Sequence, residues 1–224
     1  MPEDPALLSA PRPDGNPRIV VTGGPGGGKT TAADLLHRER PDQVVIVPEA
    51  ATILFEGGFP RVDDDAAERA AQRAIFQVQS NIEDVKRSLY PDHALLCDRG
   101  TVDGAAYWPE ASGGPAGFFA DLGTTLEAQL ARYDIVVFFE TAAAGGRPIN
   151  LGNPHRIESV EEAVDLDRRL RAVWSQHPHF HFVPNHTSFL AKMNEALEVL
   201  LAVVDGEHPG VAIAAADGLA ADAG

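Results

Sequence analysis

A short apolar run at residues 18–22 leads directly into a glycine-rich stretch that ends in a lysine and two threonines. The stretch fits the pattern G-x-x-x-x-G-K-S/T and consists of Gly23, Gly24, Pro25, Gly26, Gly27, Gly28, Lys29 and Thr30, with Thr31 after it. Glycines let backbone N–H groups turn inward around phosphate oxygens, the lysine supplies positive charge, and the threonine hydroxyl can ligate Mg²⁺. The sequence therefore predicts a phosphate-binding loop between a strand and a helix, whose N-terminal dipole adds to the attraction.

Apolar runs and helical patterns alternate along the chain. The five runs of strand length lie at residues 18–22, 43–47, 93–97, 134–139 and 180–183. They are continuously apolar, as is typical of strands buried on both faces of a sheet. Apolar residues recur at helical spacing between them, most extensively at residues 66–89. This order predicts a three-layer α/β/α fold with a five-stranded parallel sheet, in which ligands bind at the carboxyl ends of the strands.

The charge balance limits the partners of the protein. Its 224 residues include 18 basic and 33 acidic ones, which gives a formal net charge of −15. Such a potential repels a phosphate backbone, so we expect no nucleic-acid partner. The lone Cys97 excludes a disulfide framework and a multi-thiolate metal cluster. Neither a membrane-spanning apolar run nor a signal-peptide pattern is visible, so we expect a cytoplasmic protein.

The two ends of the sequence differ in composition from its middle. Proline is frequent in residues 1–17, which predicts a flexible N-terminal segment. Alanine and glycine dominate residues 206–224 with little apolar periodicity, which predicts a disordered C-terminal tail. Residues 18–205 are then expected to form one nucleotide-binding domain.

Charged residues follow the second and third apolar runs. Glu49 comes after residues 43–47 and one proline, and Asp98 and Arg99 come directly after residues 93–97. A carboxylate at the end of a buried strand must be solvated or paired. Near phosphates, Asp98 can hold Mg²⁺ through water, Glu49 can accept a proton from an attacking hydroxyl, and Arg99 can hold a phosphate or the acceptor. The alternative is a structural ion pair between Glu49 and Arg99 that closes the sheet edge.

Two later groups of titratable residues favour structural roles. His177, His179 and His181 alternate like one face of a strand, but no carboxylate or cysteine set at matching spacing completes a metal site. Basic and acidic residues oppose each other on the helical pattern that follows residue 159, which predicts a salt-bridged face. They are Arg168, Arg169, Arg171, Glu161, Glu162, Asp165 and Asp167.

Several segments together resemble the NadR-like P-loop domain family of AAA-type ATP-binding proteins, which is related to nicotinamide-riboside and nucleoside kinases. They are GGPGGGKTT, VPEAA, DRGTVDGAAYWP, RYDIVVFFE, NPHRIES, and VPN with Phe189 and Lys192 after it. The resemblance covers most of residues 18–200. It implies the strand order 2-3-1-4-5 and the cofactors ATP and Mg²⁺. It also implies that Glu49 is a general base and that Asp98 and Arg99 serve metal and phosphate.

The same resemblance suggests roles for two further segments. Residues 141–159 are rich in glycine and proline and correspond to a mobile lid, whose Arg147 and Arg156 neutralise charge on the transferred phosphoryl group. Arg156 is the stronger candidate because it lies within NPHRIES. Asn185 follows the fifth apolar run, at the position where P-loop kinases contact adenine. The alternative for residues 141–159 is an ordinary surface loop with solvated arginines.

Side chains near the third apolar run allow both functional and structural interpretations. Asp103, Tyr107 and Trp108 either line an acceptor pocket, with Asp103 on a sugar hydroxyl, or cap the hydrophobic core. Gln77 and Gln79 correspond to the position at which nucleoside kinases read a base with an amide. On an amphipathic helix, such adjacent polar residues more often form its solvated side.

The preferred function is a Mg-ATP-dependent phosphotransferase that acts on a hydroxyl of a small, riboside-like acceptor. Lys29, Glu49, Asp98, Arg99 and Arg156 would carry the reaction. The alternative is a nucleotide-binding switch that hydrolyses ATP or GTP and signals to a protein partner. No guanine-reading N/TKxD motif is evident, which favours ATP. An oligomeric AAA-type motor is disfavoured because the chain lacks room for a helical lid subdomain.

Overall fold

The computed structural model describes residues 16–62, 64–145, 159–186 and 188–222. The strands in these ranges are β1 (Arg18–Gly23), β2 (Val44–Val47), β3 (Ala94–Asp98), β4 (Ile135–Phe139) and β5 (Phe180–Val183). They form one parallel sheet with the order β2-β3-β1-β4-β5. The predicted fold class and strand order are therefore confirmed.

Helices cover both faces of this sheet. Those in the described ranges are α1 (Lys29–Glu39), α2 (Ala50–Glu56), α3 (Asp65–Leu89), α4 (Gly104–Tyr107), α5 (Gly114–Asp121), α6 (Leu126–Leu130), α7 (Val160–Trp174), α8 (Phe189–Val204) and α9 (Pro209–Asp222). One core lies between the sheet and α1, α8 and α9, and the other lies between the sheet and α3 to α7. Among the described residues, no helix combines the length and the apolar character needed to cross a membrane.

Successive residues of the strands face opposite layers. In β1, Ile19 and Val21 pack in the core beneath α1 and α8, whereas Val20 packs in the core beneath α3 and α7. Side chains alternate between the two faces of a strand, and both faces are covered here. This is why apolar residues predominate on both faces of the strands instead of on one face only.

Short polar caps fix where the two longest helices on the second face begin. The Asp64 side chain accepts hydrogen bonds from the backbone N–H groups of Ala66 and Ala67, both at 3.0 Å, at the start of α3. Ser159 and Glu162 form a reciprocal capping box at the start of α7. These caps satisfy N–H groups that have no partner within the helix.

The C-terminal end of the chain differs from the prediction of a disordered tail at residues 206–224. Helix α9 packs against α8, and Ala212 and Ala216 are only 3% and 6% exposed. Residues four apart lie on one side of a helix, so these alanines form a small apolar face. Alanine also has the highest helix propensity. A helix therefore forms here although the apolar periodicity of the segment is weak. The predicted flexible segment lies mainly in residues 1–15, outside the described ranges.

Candidate functional site

The glycine-rich loop lies at the carboxyl end of β1 and joins it to α1. Gly23 has a φ of +124°, and a Cβ at this position would lie 2.1 Å from the carbonyl oxygen of Phe139 in β4. Only glycine fits because backbone of the neighbouring strand occupies that space. Helix α1 begins at Lys29, so the N–H groups of its first turn, which lack helical partners, lie at the end of the loop. Thr31 is exposed on this turn.

The Lys29 side chain is buried within the loop. Its ammonium donates hydrogen bonds to the carbonyl oxygens of Gly23 at 2.9 Å and Gly24 at 2.8 Å. Burial, together with the positive charge of Arg99, lowers the pKa of Lys29 to about 7. An anion beside this amine would favour its charged form, since opposite charges stabilise each other at short range. The environment of Lys29 is therefore suited to a negatively charged ligand.

Thr30 and Asp98 meet across the sheet edge. The register of β1 and β3 pairs Val21 with Asp98, and the Thr30 hydroxyl donates to the Asp98 carboxylate at 2.7 Å. Burial raises the pKa of Asp98, and the negative charge of Glu49 adds to this effect. Hydroxyl and carboxylate oxygens are ligands that Mg²⁺ prefers, and a cation would relieve the cost of the buried carboxylate. The two side chains therefore fit a Mg²⁺ site.

Glu49 and Arg99 form the ion pair that the sequence left as an alternative. Arg99 Nε lies 2.6 Å from one Glu49 oxygen, and the Thr52 hydroxyl donates to the other at 2.7 Å. Burial by itself raises the pKa of Glu49, but the Arg99 charge and the Thr52 hydrogen bond bring it below its ordinary value. Glu49 keeps about 27% of its side chain exposed, so its ionised carboxylate remains open to a ligand.

Asp103 holds Arg99 from the other side. It accepts from Arg99 Nη1 at 2.8 Å, from the Thr22 hydroxyl at 2.7 Å and from Trp174 Nε1 at 3.2 Å. Arg99 has a φ of +71°, a costly backbone conformation that persists only when the surroundings fix it. Asp103 is thus a buried support for Arg99, a role that neither interpretation of the sequence gave it. Trp108 is buried in the core, which favours the structural interpretation for that residue.

Asn185 links the end of β5 to the end of β4 through hydrogen bonds. Its backbone N–H donates to the Glu140 carboxylate and its amide nitrogen donates to the carbonyl oxygen of Thr141, both at 2.7 Å. Lys192 of α8 donates to the Asn185 amide oxygen at 3.1 Å and to the carbonyl oxygen of Glu140 at 2.6 Å. The contact of Asn185 with an adenine stays a prediction.

Sequence reasoning missed two residues that contact the phosphate loop, Thr141 and Asp167. Asp167 was assigned to the salt-bridged face of α7, but it is buried and accepts from the N–H of Gly24. One signal could have found it. Asp167 lies four residues after Ala163 and three before Leu170, both buried, so it shares the apolar side of the helix. A carboxylate there needs hydrogen-bond donors from another element.

The two glutamines and the histidines that the sequence singled out differ in burial and in their hydrogen-bond partners. Gln79 is buried, and its amide nitrogen donates to Glu83 at 3.0 Å and to the carbonyl oxygen of Arg99 at 3.1 Å, whereas Gln77 is exposed. His177 and His179 each contact a backbone carbonyl oxygen at 2.9 Å, which is typical of structural histidines. No group of three metal-ligating side chains occurs among the residues that the structure describes.

The predicted lid falls largely outside the described residues. Arg147 and Arg156 both lie in the range 146–158, so their roles stay predictions. The described parts at the two ends are a short 3₁₀ helix at Ala142–Gly145 and the cap residue Ser159.

Comparisons with known proteins give a family and a fold for this chain. A family model described as AAA_28, an AAA domain, matches residues 18–189. The chain is also similar to a structure of deoxyadenosine kinase from M. mycoides with bound dATP, at a TM-score of 0.58 and 14% identity. That match covers 83% of this chain and 100% of the other.

A second structure of that kinase, with the products dCMP and a flexible dCDP bound, gives the same TM-score and identity. This match covers 83% of this chain and 99% of the other. No curated protein matches the sequence. At this identity the similarity establishes the fold alone, a P-loop fold that the chain shares with these structures.

Proposed function

Because the chain belongs to the AAA_28 family of AAA domains, we propose that it transfers the γ-phosphate of ATP to a hydroxyl of a small, riboside-like acceptor. One observation carries this proposal: an ionised carboxylate, Glu49, is held by Arg99 beside the phosphate loop. Glu49 and Asp98 lie near enough for their charges to act on the pKa of Lys29. The groups needed to hold phosphates and to accept a proton therefore belong to one site.

The phosphates of ATP are held by the loop. Lys29 and the N–H groups at the start of α1 provide positive charge and hydrogen-bond donors for the β- and γ-phosphates. Thr30 and Asp98 would hold Mg²⁺, which when bound neutralises charge on the phosphates. Arg99, and Arg156 as predicted from the sequence, would stabilise the charge of the transferred group.

Glu49 is the base of the proposed reaction. Its pKa lies below the ordinary value, so the carboxylate is ionised at neutral pH and can accept the proton of the acceptor hydroxyl. The hydroxyl oxygen then forms a bond to the γ-phosphorus, and the bond from that phosphorus to the β,γ-bridging oxygen breaks. ADP leaves with the electron pair. Thr52 and Arg99 each hold one Glu49 oxygen, which orients the carboxylate.

The acceptor class is supported by the solved structures that the chain resembles. They are described as deoxyadenosine kinase, and they contain dATP in one case and dCMP with dCDP in the other. The resemblance to nicotinamide-riboside kinases also favours a ribose-bearing acceptor. Nucleosides and other ribosides are therefore the first compounds to test.

The experiment is an ADP-release assay with Mg-ATP, with and without pooled nucleosides and ribosides that include nicotinamide riboside. The Lys29→Ala variant serves as the blank. Lys86→Ala serves as its matched control, since Lys86 lies on α3 and contacts the Tyr90 ring. We expect release to rise sharply with one pool for the wild type and for Lys86→Ala only.

A different result would favour the switch. Tight ATP or GTP binding with slow release that no acceptor accelerates would contradict the phosphotransferase. It would support a regulatory nucleotide-binding protein that acts through a protein partner, and partner searches would then follow.

A further inference from the structure

A buried carboxylate from α7 reaches the phosphate loop. Asp167 is 7% exposed, and one of its oxygens accepts hydrogen bonds from two backbone N–H groups, those of Gly24 and Thr141, both at 2.9 Å. Gly24 belongs to the loop, and Thr141 follows β4 at the same edge of the sheet. A single side chain thus joins three separate parts of the chain.

The close approach of Asp167 explains a glycine that the loop pattern does not demand. Gly24 occupies the first of the four variable positions in the pattern G-x-x-x-x-G-K-S/T. A Cβ on Gly24 would lie 2.5 Å from the Asp167 oxygen and 2.7 Å from Cβ of Thr141. Both distances are too short for a side chain, so a glycine is required here because the carboxylate lies against the loop.

Thr141 strengthens the same attachment. Its hydroxyl donates to the carbonyl oxygen of Pro25 at 2.7 Å, while its N–H donates to Asp167. Gly24 and Pro25 are therefore both held from outside the loop, one through its N–H and the other through its carbonyl oxygen. Consecutive loop residues fixed in this way have little freedom to rotate their peptide groups.

The orientation of one peptide group links Asp167 to Lys29. In a trans peptide, the carbonyl and the N–H point in opposite directions. Because Asp167 holds the N–H of Gly24, the carbonyl of Gly23 in the same peptide points the other way. That carbonyl oxygen accepts from the Lys29 ammonium at 2.9 Å. The carboxylate thus sets the direction of an acceptor that restrains the loop lysine.

A negative charge on Asp167 is energetically unfavourable in this buried position. Burial raises the pKa of Asp167, and the negative charge of Glu140 is a further cause, although the two backbone N–H groups act in the opposite direction. A second negative charge, that of a phosphate, would be unfavourable nearby. An oxygen at this position contributes hydrogen bonds to the loop, and these do not require a negative charge. An uncharged amide oxygen can accept the same bonds.

We propose that Asp167 is a positioning residue of the phosphate loop, which fixes the Gly23–Gly24 peptide and through it the Lys29 ammonium. The inference rests on the proposed function only in that the loop binds the phosphates of a nucleotide. It requires no particular acceptor and no transfer reaction.

The test measures binding of Mg-ATP and of inorganic tripolyphosphate to the full chain by titration calorimetry. In Asp167→Ala, two hydrogen bonds to a carboxylate are lost, and we expect Kd to rise about tenfold or more for both ligands with unchanged stoichiometry. In Asp167→Asn, the amide oxygen can replace the acceptor, so Kd should stay within about threefold of the wild type. Asp165→Ala is the matched control, because Asp165 lies on the same helix in exposed ion pairs with Arg168 and Arg169.

The outcomes separate a positioning role from a structural one. Unchanged Kd in Asp167→Ala, even with a lower melting temperature or a lower bound fraction, would overturn the inference. If that variant does not fold, Asp167→Leu fills a similar space without an acceptor, and the inference again requires a higher Kd for both ligands. A wild type that binds ATP but shows no acceptor-dependent ADP release would refute the proposed transfer and leave this test intact.

Discussion

Two clusters of buried charge in this protein contain similar residues and differ in how completely their charges are matched. Glu83 of α3 is fully buried, and two side chains donate to each of its carboxylate oxygens. The donors are the Tyr133 hydroxyl at 2.8 Å and Gln79 at 3.0 Å on one oxygen, and Arg18 at 3.2 Å and Arg132 at 3.0 Å on the other. Both oxygens of Glu83 are therefore paired within the protein, and this cluster needs no ligand to balance its charge.

The cluster at the phosphate loop is not matched in this way. Lys29 donates to carbonyl oxygens, and Asp98 accepts from a neutral hydroxyl. Burial lowers the pKa of Lys29 to about 7 and raises that of Asp98, so both groups shift toward their neutral forms. A phosphate and a cation would restore both charges. The comparison therefore distinguishes a buried ionic cluster that stabilises the fold from one that is prepared for a charged ligand.

The largest effect at the phosphate loop is expected for Glu49→Gln. The amide cannot accept the hydroxyl proton, so we expect phosphoryl transfer to fall by about 10²–10⁴-fold while the Kd of Mg-ATP changes little. Glu56→Gln, at the exposed end of α2, is the matched control. Single-turnover transfer rates and calorimetric Kd values measure the two effects. A wild-type transfer rate in Glu49→Gln would mean that another group is the base.

Glu83→Gln tests the other cluster. Removing the charge leaves Arg18 and Arg132 without their shared buried partner, and we expect a loss of about 3 kcal/mol in the free energy of unfolding. Asp84→Asn is a stringent control, because Asp84 contacts the same arginines at 3.6 Å and 3.0 Å but is exposed. That change should cost about 1 kcal/mol or less. Urea unfolding gives both values, and equal losses would contradict the comparison. The folded Glu83→Gln protein should bind Mg-ATP like the wild type.

Proton uptake tests whether the site lysine is prepared for an anion. The pKa of Lys29 is about 7, so above that pH the free amine is largely neutral and must gain a proton when phosphate binds. Binding of Mg-ATP at pH 8.5 should therefore take up close to one proton, and affinity should fall as the pH rises from 7. Calorimetry in buffers of different ionisation enthalpy measures the uptake. Lys29→Met should abolish it, and equal uptake in both proteins would exclude Lys29 as the group that titrates.

The parts of the site that could be predicted from the sequence are those that directly follow a strand. A glycine-rich loop after a strand, and charged residues directly after strands, can be placed because parallel strands end at a common edge. The ends of β1 and β3 bring Thr30 and Asp98 together in this way. The sequence could not decide whether Glu49 pairs with Arg99 or stays free, since that depends on side-chain geometry. The pair exists, and it orients a carboxylate that remains partly exposed.

The contact of Asp167 with the phosphate loop could not be predicted because it joins residues far apart in the sequence. It contacts Gly24, which is 143 positions away in the sequence. On α7, its spacing from the buried Ala163 and Leu170 indicates the apolar side of the helix, but the helix pattern does not say which donors Asp167 meets there. Only the packing of α7 on the sheet directs Asp167 to the loop. The same limitation applies to Ala216, whose burial depends on how α9 packs and not on its own hydrophobicity.

The smallest expected effect concerns α9. Ala212 and Ala216 bury little area each, so deletion of residues 206–224 should cost about 2 kcal/mol, which corresponds to a fall of roughly 5 °C in Tm. Calorimetric melting measures it. Two point variants refine the test: Ala216→Asp places a carboxylate in the core and should destabilise the protein, whereas Ala215→Asp places it in solvent and should not. An unchanged Tm in both the deletion and Ala216→Asp would mean that α9 contributes no packing to the core, as the composition of the tail had suggested.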